Sequence, residues 1–307
     1  SDHRSDLENH ASILDELQAA CAMVREQEPL SRHTSLAIGG PADFYAEPHH
    51  RDELAGLRRL SLAKHLPVFF IGAGSNLLVA DKGIRGLVIR LMGDFRQAAF
   101  DGEHVTVGAA VWMPALVKQA AEHGLSGIES LIGVPGTVGG GLVMNAGTRE
   151  GVLGDVVQGV ELMRPDGSTE VRPAGELGFD YRHSGLEGAW ILGATLRLKA
   201  AERSSIMERI DGYLQSRSRT QPLATSNCGS VFKNPPGAAA AQLIEQAGLK
   251  GHGEGGARIS ERHANFIINE NHASAAAVRN LLDHVQKTVE AKFGVRLEPE
   301  VKLVGEW

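Results

Sequence analysis

Cysteine is nearly absent: Cys21 and Cys228 are the only two in 307 residues. Two thiols cannot make a disulfide framework or a cysteine-built metal cage, and their scarcity fits a reducing, cytoplasmic setting. Aromatic residues are sparse, at 5%. There is no long basic run and the net charge is −6, which argues against nucleic acid as the main partner. No His-Glu-x-x-His pattern occurs, His49-His50 lie in a surface-like run, and no metal is assigned. Ser1–His10 is polar and charged with no apolar stretch, so no targeting segment is expected. The longest uncharged run, Ser130–Thr148, has the length of a membrane span but carries six glycines and a proline. Such a run makes a poor membrane helix, and a buried loop system is expected instead.

What is present describes a globular chain. Apolar residues make up 42% and charged residues 22%, near the average for folded domains. The length suits two domains or one elaborated one. Helical spacing predicts Ser12–Gln27, with Ser12 and Asp15 as a capping box, the stripe Ile13, Leu14, Leu17, Cys21 and Val24, and Pro29 as the stop. Cys21 is read as a core residue. Further helices are expected over Arg51–His65, Pro114–His123, Glu202–Arg219, Ala238–Ala247 and Ser274–Phe293. Strands are expected at Asp43–Glu47, Val68–Ile71, Leu87–Arg90, Val105–Val107, Gly159–Arg164, Ser168–Arg172, Ala189–Lys199, Ala257–Ser260, Asn265–Asn269 and Val295–Val304. Pro165-Asp166-Gly167 reads as a turn. The pattern is α+β, with a boundary near residue 200.

Glycine is the main surplus. There are 37, about 12% of the chain, against about 7% usually, and they cluster. Gly72-Ala73-Gly74-Ser75-Asn76-Leu77 follows a strand. It lacks the third glycine and the helix of a dinucleotide fingerprint and the Gly-Lys-Ser/Thr of a phosphate-binding loop; a plain strand-to-strand turn explains it equally well. The second cluster, Ile132 to Gly141 followed by Met144-Asn145-Ala146-Gly147, holds five glycines within nine residues among apolar neighbours. A segment of that kind can run along a diphosphate and donate backbone N–H groups to it, or it can be a tightly packed structural crossing.

Chemistry-bearing residues fall in three further segments. Arg182 in Tyr181-Arg182-His183-Ser184 is suited to a bidentate clamp on a carboxylate or to an ordinary ion pair. In Asn227-Cys228-Gly229-Ser230-Val231-Phe232-Lys233-Asn234-Pro235 no nucleophile elbow surrounds Ser230, so a hydrogen-bond or proton-donor role outweighs hydrolysis, and Cys228 reads as packed. In the terminal strand Val295, Leu297, Val301 and Leu303 share a parity, leaving Glu298 and Glu300 on the other face, with Pro299 favouring an edge. Ser260 to Phe266 is polar then apolar, as in a substrate-facing turn.

Taken in order, Ile38-Gly39-Gly40-Pro41-Ala42, Gly72 to Asn76, Pro135 to Gly140 with Asn145-Ala146-Gly147, Tyr181 to Ser184, Gly229 to Pro235, His263 to Phe266, and Leu297-Glu298-Pro299-Glu300-Val301 resemble the UDP-N-acetylenolpyruvoylglucosamine reductase family from about residue 15 onward. The short interval between Arg182 and Ser230 is similar to the subgroup without an inserted tyrosine-bearing loop. The resemblance implies an α+β fold with an FAD-binding domain of the vanillyl-alcohol-oxidase type in two subdomains, 1–66 and 67–201, and a smaller C-terminal α/β substrate domain, 202–307. It implies non-covalent FAD held by Gly72, Ala73, Gly74, Ser75, Asn76, Leu77, Pro135, Gly136, Thr137, Gly139, Gly140, Asn145, Ala146 and Gly147. It implies NADPH as reductant and an enolpyruvyl UDP-sugar as substrate, reduced to UDP-N-acetylmuramate for peptidoglycan synthesis in the cytoplasm. Tyr181, Lys233, Asn234 and His263 would bind substrate. Arg182 and Glu300 would stabilise an enolate that Ser230 protonates, with Glu300 protonated or bridged by water beside that charge. A monomer is compatible with all of this. The chain departs from the family at Thr148-Arg149-Glu150, where Ala-Tyr-Gly is common, and at Cys228, where a smaller residue is common. Two other functions compete: a different flavin oxidase or dehydrogenase of the same fold, against which Gly229 to Pro235 argues, and a non-catalytic flavin-binding sensor, against which Arg182, Ser230 and Glu300 argue.

Overall fold

A computed structural model describes residues 2–307, with side chains from Ser5 onward. Its N-terminus departs from the sequence expectation. Helix α1 covers Asp2–Ala20, so Ser12 lies inside it and caps nothing. Cys21 and Val24 continue the helical spacing, yet Val24–Pro29 is a strand and Pro29 closes that strand instead of a helix. The cause is tertiary: the Glu53 carboxylate accepts the Ala22 N–H at 2.8 Å and turns the chain out of the helix just where periodicity alone would continue it. Cys21 is buried as expected, at 1% exposure.

Helices follow at Arg51–Ala63 (α2), Met113–Glu122 (α3), Val138–Met144 (α4), Arg203–Thr220 (α5), Ala240–Gln246 (α6) and Ala275–Phe293 (α7). All but α4 match the expected helices to within a few residues. Helix α4 lies inside the stretch expected as loop. Thr137 caps it by accepting the Gly140 N–H, and Asn145 ends it in the left-handed conformation. Its glycines disfavour helix by about 1 kcal/mol each, but close packing outweighs that: a Cβ on Gly139 would lie 3.1 Å from the Ala109 carbonyl oxygen.

The chain divides into two units. The first contains the chain up to Glu28, Asp43–Gly72 and Gly86–Leu214; the second contains Pro29–Ala42, Ala73–Arg85 and Gln215–Trp307. The first unit carries a four-stranded sheet in the order Val24–Pro29, Pro41–Ala46, Ile84–Ile89, Val68–Phe70 and a five-stranded antiparallel sheet in the order Thr169–Pro173, Val157–Met163, Ile191–Arg197, His104–Gly108, Ala98–Asp101. One core fills it, drawing Leu54 and Leu57 from α2, Leu116 and Val117 from α3, Leu142 from α4, and Ile206 and Ile210 from α5. The turn at Pro165-Asp166-Gly167 forms as expected, Asp166 accepting the Ser168 N–H at 2.9 Å.

The second unit has its own core, including Leu36, Ile38, Leu78, Val231, Phe232, Leu281, Val285 and Leu297. Its four-stranded sheet runs Asn227–Ser230, Phe266–Asn269, Ala257–Ile259, Gly253–Glu254. Asp81 accepts the Ala275 and Ala276 N–H groups at 2.8 and 3.1 Å, and Ser274 accepts that of Ala277, so the first three N–H groups of α7 are capped. The expected strand Val295–Val304 shrinks to Lys302–Val304, paired in parallel with Leu77–Val79. Pro299 interrupts the ladder, as a residue without an N–H must, and makes only an isolated bridge with Phe232. The parity survives: Leu297 and Val301 are buried and Glu298 is exposed. The fold class is α+β. No helix among the described residues is long and apolar enough to cross a membrane.

Two buried carboxylates tie the first unit together. Glu53 accepts the Ala22 and His49 N–H groups at 2.8 and 2.9 Å. Glu129 accepts from Ser126 Oγ, the Gly127 N–H and Arg209 Nε, joining α5 to the turn Glu129–Gly133. Burial pushes both carboxyls up, but hydrogen bonds to the charged form outweigh it and hold both below the ordinary range. Such groups stabilise the fold above the unfolded carboxylate pKa and lose that contribution as pH falls through the depressed folded value. Glu129→Gln is therefore expected to lower stability by about 1–3 kcal/mol at neutral pH, with the gap from the parent closing in acid. Thermal unfolding followed by circular dichroism from neutral to acid pH measures it; a gap independent of pH would contradict the assignment.

Candidate active site

Among the described residues no group of three or more His, Cys, Asp or Glu is placed to hold a metal ion. The glycine-rich segments are the more informative feature. In the first unit they touch: a Cβ on Gly72 would fall 2.5 Å from Thr137 Oγ1, so the end of the first segment packs on the second only because Gly72 has no side chain. The second segment is pinned from behind. Gly136 C=O accepts the Met113 N–H at 2.8 Å, and the N–H groups of Val138 and Gly139 reach the carbonyls of Val111 and Ala109. The N–H groups of Gly136 and Thr137 donate to no protein acceptor among the described residues. Gly140 is exposed, and a Cβ there would meet only Thr137 Oγ1, at 3.6 Å. Unclaimed backbone donors beside a surface kept free of side chains are the donor set and the shape that a diphosphate requires, so these residues fit FAD.

Arg182 also belongs to the first unit. Asp180 and His183 exchange backbone hydrogen bonds at 3.0 and 3.2 Å, closing a tight turn with Tyr181 and Arg182 at its tip. Arg182 has φ +50°, a conformation that costs a side-chain-bearing residue about 1–2 kcal/mol and is usually given to glycine or asparagine. Its guanidinium lies 5.1 Å from the Tyr181 ring centroid, and its Nη2 donates to Gly147 C=O at 2.8 Å. Tyr181 is exposed. Asn145, Ala146 and Gly147 follow α4, with Asn145 and Ala146 buried.

The second unit brings Ser230 and Glu300 onto hydrogen-bonded segments. Ser230 pairs with Phe266, and the ladder slips between Asn227 and Ser230. Gly229 makes the slip possible with φ +73°, and Asn227 Oδ1 accepts its N–H. A bulge of this kind re-aims the next side chain. Glu300 N–H donates to Val231 C=O at 2.8 Å, and Asn76 Nδ2 donates to Glu300 C=O at 3.3 Å. Lys233 N–H bonds Glu298 C=O, and Lys233 Nζ lies 3.1 Å from Glu298. Asn234 is exposed, and its Oδ1 accepts the Ala240 N–H at the start of α6. Burial, and secondarily Lys250, hold the His263 pKa below its ordinary value. Its neutral ring accepts the Asn265 N–H on Nδ1 at 3.2 Å. Burial and the nearby Glu300 push the Cys228 thiol up to about 12, so Cys228 is a packed, unreactive residue as expected.

One residue escaped the sequence reading of individual roles. Asn265, 3% exposed, donates to Phe232 C=O at 2.8 Å and accepts the Phe232 N–H at 3.1 Å. A primary amide carries the same donor and acceptor as a peptide group, so this side chain acts as one rung of sheet and fixes the backbone two residues past Ser230. The clue in the sequence was an amide inside an otherwise apolar strand signal, Ala264-Asn265-Phe266.

The comparisons with known proteins agree with this architecture. The family described as FAD binding domain matches residues 42–171, which defines a flavoprotein of α+β class. The family described as UDP-N-acetylenolpyruvoylglucosamine reductase, C-terminal domain, matches residues 221–304. UDP-N-acetylenolpyruvoylglucosamine reductase 2 of Symbiobacterium thermophilum is 49% identical over 284 residues, covering 92% of each chain. The reductase of Moorella thermoacetica is 45% identical over 297 residues, covering 96% of this chain and 98% of its own. The crystal structure of UDP-N-acetylenolpyruvylglucosamine reductase from Thermus caldophilus superposes with a TM-score of 0.80 at 39% identity, covering 92% of this chain and 99% of that one. The chain belongs to the UDP-N-acetylenolpyruvoylglucosamine reductase family.

Removing the Asn265 amide should leave the Phe232 N–H and C=O buried without partners, at about 1–3 kcal/mol for each. Asn265→Ala is expected to shift the urea unfolding midpoint down markedly. Asn265→Asp keeps the acceptor but sets a buried carboxylate against the Phe232 C=O, so it should cost at least as much at neutral pH. Equal midpoints for Asn265→Ala and the parent would show that the rung carries no weight.

Proposed function

We propose that this chain is an FAD-containing, NADPH-dependent reductase that converts UDP-N-acetylenolpyruvoylglucosamine to UDP-N-acetylmuramate for peptidoglycan synthesis. The observation that carries the reading is the backbone link between the Ser230 and Glu300 segments, Glu300 N–H to Val231 C=O at 2.8 Å, in a chain 45–49% identical to reductases of that name over more than nine-tenths of its length. FAD-binding subdomains are assigned to 1–66 and 67–201 and a substrate domain to 202–307; the family matches at 42–171 and 221–304 accord with the step near residue 202 alone. The setting is cytoplasmic, which accords with two free, buried cysteines, and the enzyme serves cell-wall formation, cell shape and division.

FAD would be held by Gly72 to Leu77, by Pro135, Gly136, Thr137, Gly139 and Gly140, and by the backbone of Asn145, Ala146 and Gly147. When bound, it supplies the hydride, taken from NADPH, that reduces the enolpyruvyl double bond. The chain's own residues manage the resulting charge. Arg182 offers a permanent planar cation to the substrate carboxylate as it becomes an enolate. Its unfavourable backbone conformation supports this role, since strain of that kind persists where a side chain must be aimed. Ser230 Oγ–H donates a proton to the enolate carbon; a serine hydroxyl is a weak acid, but a carbon-centred enolate is a strong base. Glu300, tethered beside the Ser230 strand, stabilises the same enolate in its protonated form or through a bridging water. One of Arg217, Arg219 and Lys233 offers its cation to the substrate diphosphate, and Tyr181, Lys233, Asn234 and His263 make the substrate contacts.

Anaerobic NADPH should bleach the flavin absorbance, and the enolpyruvyl UDP-sugar should restore it. Ser230→Ala should keep flavin binding while turnover falls about 10²–10⁴-fold, the usual worth of a positioned acid. A bleached flavin that stays bleached with the sugar present rejects the substrate assignment. Turnover of Ser230→Ala within a few-fold of the parent rejects the proton-donor role.

A further inference from the structure

We propose that Asn145 and Ser184 are positioning residues for Arg182: together they clamp the Arg182 turn to the C-terminal end of helix α4. The inference rests on the role given to Arg182 above, and it adds the device that aims it. Three alternate residues leaving α4 each bond one residue of the turn. Val143 C=O accepts from Ser184 Oγ at 2.7 Å. The Asp180 C=O accepts from Asn145 Nδ2 at 2.9 Å. Gly147 C=O accepts from Arg182 Nη2 at 2.8 Å. The turn is thus held at its entry, at its exit and at the guanidinium.

Burial makes the clamp stiff. Asn145 is 4% exposed and Ser184 2%, while Asp180, Tyr181 and His183 are exposed. Asn145 Oδ1 is also committed, accepting the Gly154 N–H at 2.9 Å, and Ser184 Oγ accepts the Leu186 N–H at 3.3 Å. Val143 C=O is among the last carbonyls of α4, which have no partner within the helix; the hydroxyl that satisfies it comes from the Arg182 turn. Capping the helix and fixing the turn are therefore one bond. The same helix begins at the glycine-rich segment assigned to FAD, so the clamp sets the register between the cofactor-holding backbone and the cation, where an error of about 1 Å can cost about 10²-fold in rate.

Asn145→Gly removes the amide but tolerates the left-handed backbone at this position, φ +49°. Ser184→Ala removes the hydroxyl. Each variant is purified with FAD bound, and three quantities are read: the FAD Kd by flavin fluorescence, the rate of flavin reduction by NADPH, and the rate of flavin reoxidation by the enolpyruvyl UDP-sugar. We expect reoxidation to fall about 10–100-fold in both variants, with the FAD Kd and the NADPH step of Ser184→Ala within about twofold of the parent. Adding Asn145→Gly to Arg182→Lys should cost far less than it does alone, because residues that act through one another are not additive. Hydrogen exchange gives a readout independent of the sugar: the His183 amide, bonded to Asp180 C=O, should exchange about tenfold or more faster in Asn145→Gly. Weakened FAD binding with both flavin steps slowed alike in Ser184→Ala would make this contact a cofactor-holding one and overturn the proposal, as would unchanged His183 exchange. A parent enzyme not reoxidised by the sugar would instead overturn the substrate reading, leaving the exchange result to decide the clamp.

Discussion

The constraint on which the first unit depends is the exclusion of Cβ atoms where the two glycine-rich segments meet. Gly72 leaves room for Thr137 Oγ1, and Gly139 lets α4 lie on the Ala109 carbonyl. Backbone packed that closely cannot be replaced by side-chain packing. It turns a sequence that looks too glycine-rich for helix into a short, fixed helix with Thr137 at one end and Asn145 at the other. From this follow the unclaimed N–H groups at Gly136 and Thr137, and the row of carbonyls at Val143 and Gly147 against which the Arg182 turn is set.

Two asparagines do comparable work in the two units. Asn265 copies a peptide group against Phe232, and Asn145 joins Asp180 to Gly154. Both are almost fully buried, and in both the amide serves backbone groups that sheet or helix leaves unpaired. A buried amide with every bond made specifies one geometry, whereas an apolar residue of the same size would allow several. The segments carrying Ser230 and Arg182 are irregular, and an irregular backbone needs such a device.

Much of this was legible in the sequence, for identifiable reasons. Long amphipathic patterns found α2, α5 and α7, and Pro165-Asp166-Gly167 found its turn, because local spacing decides such elements. The ordered motifs from Gly72 to Glu300 found the family. Local spacing misled where a distant group intervened: Glu53 halts α1 at Ala20, and Pro299 reduces the last strand to Lys302–Val304. Helix α4 was illegible because propensity sees its glycines and not the Ala109 carbonyl they admit. The work of Asn145 and Asn265 was illegible because the partners of each amide, Asp180 and Gly154 for the first and Phe232 for the second, become neighbours only after folding.

The second unit is assembled from three separated stretches of chain, and that has a bearing on biosynthesis. Leu36, Ile38 and Leu78 belong to its interior, Asp81 caps α7, and an amide-to-carbonyl bond from Asn269 to Leu36 spans 233 positions. Its parallel ladder joins Leu77–Val79 to Lys302–Val304, far later in the chain. On the ribosome, the early pieces must wait, unpaired and partly apolar, until Lys302–Val304 has emerged. Late closure of that kind makes nascent molecules dependent on protection from aggregation, and it means that Gln215–Trp307 made alone would lack part of its own interior.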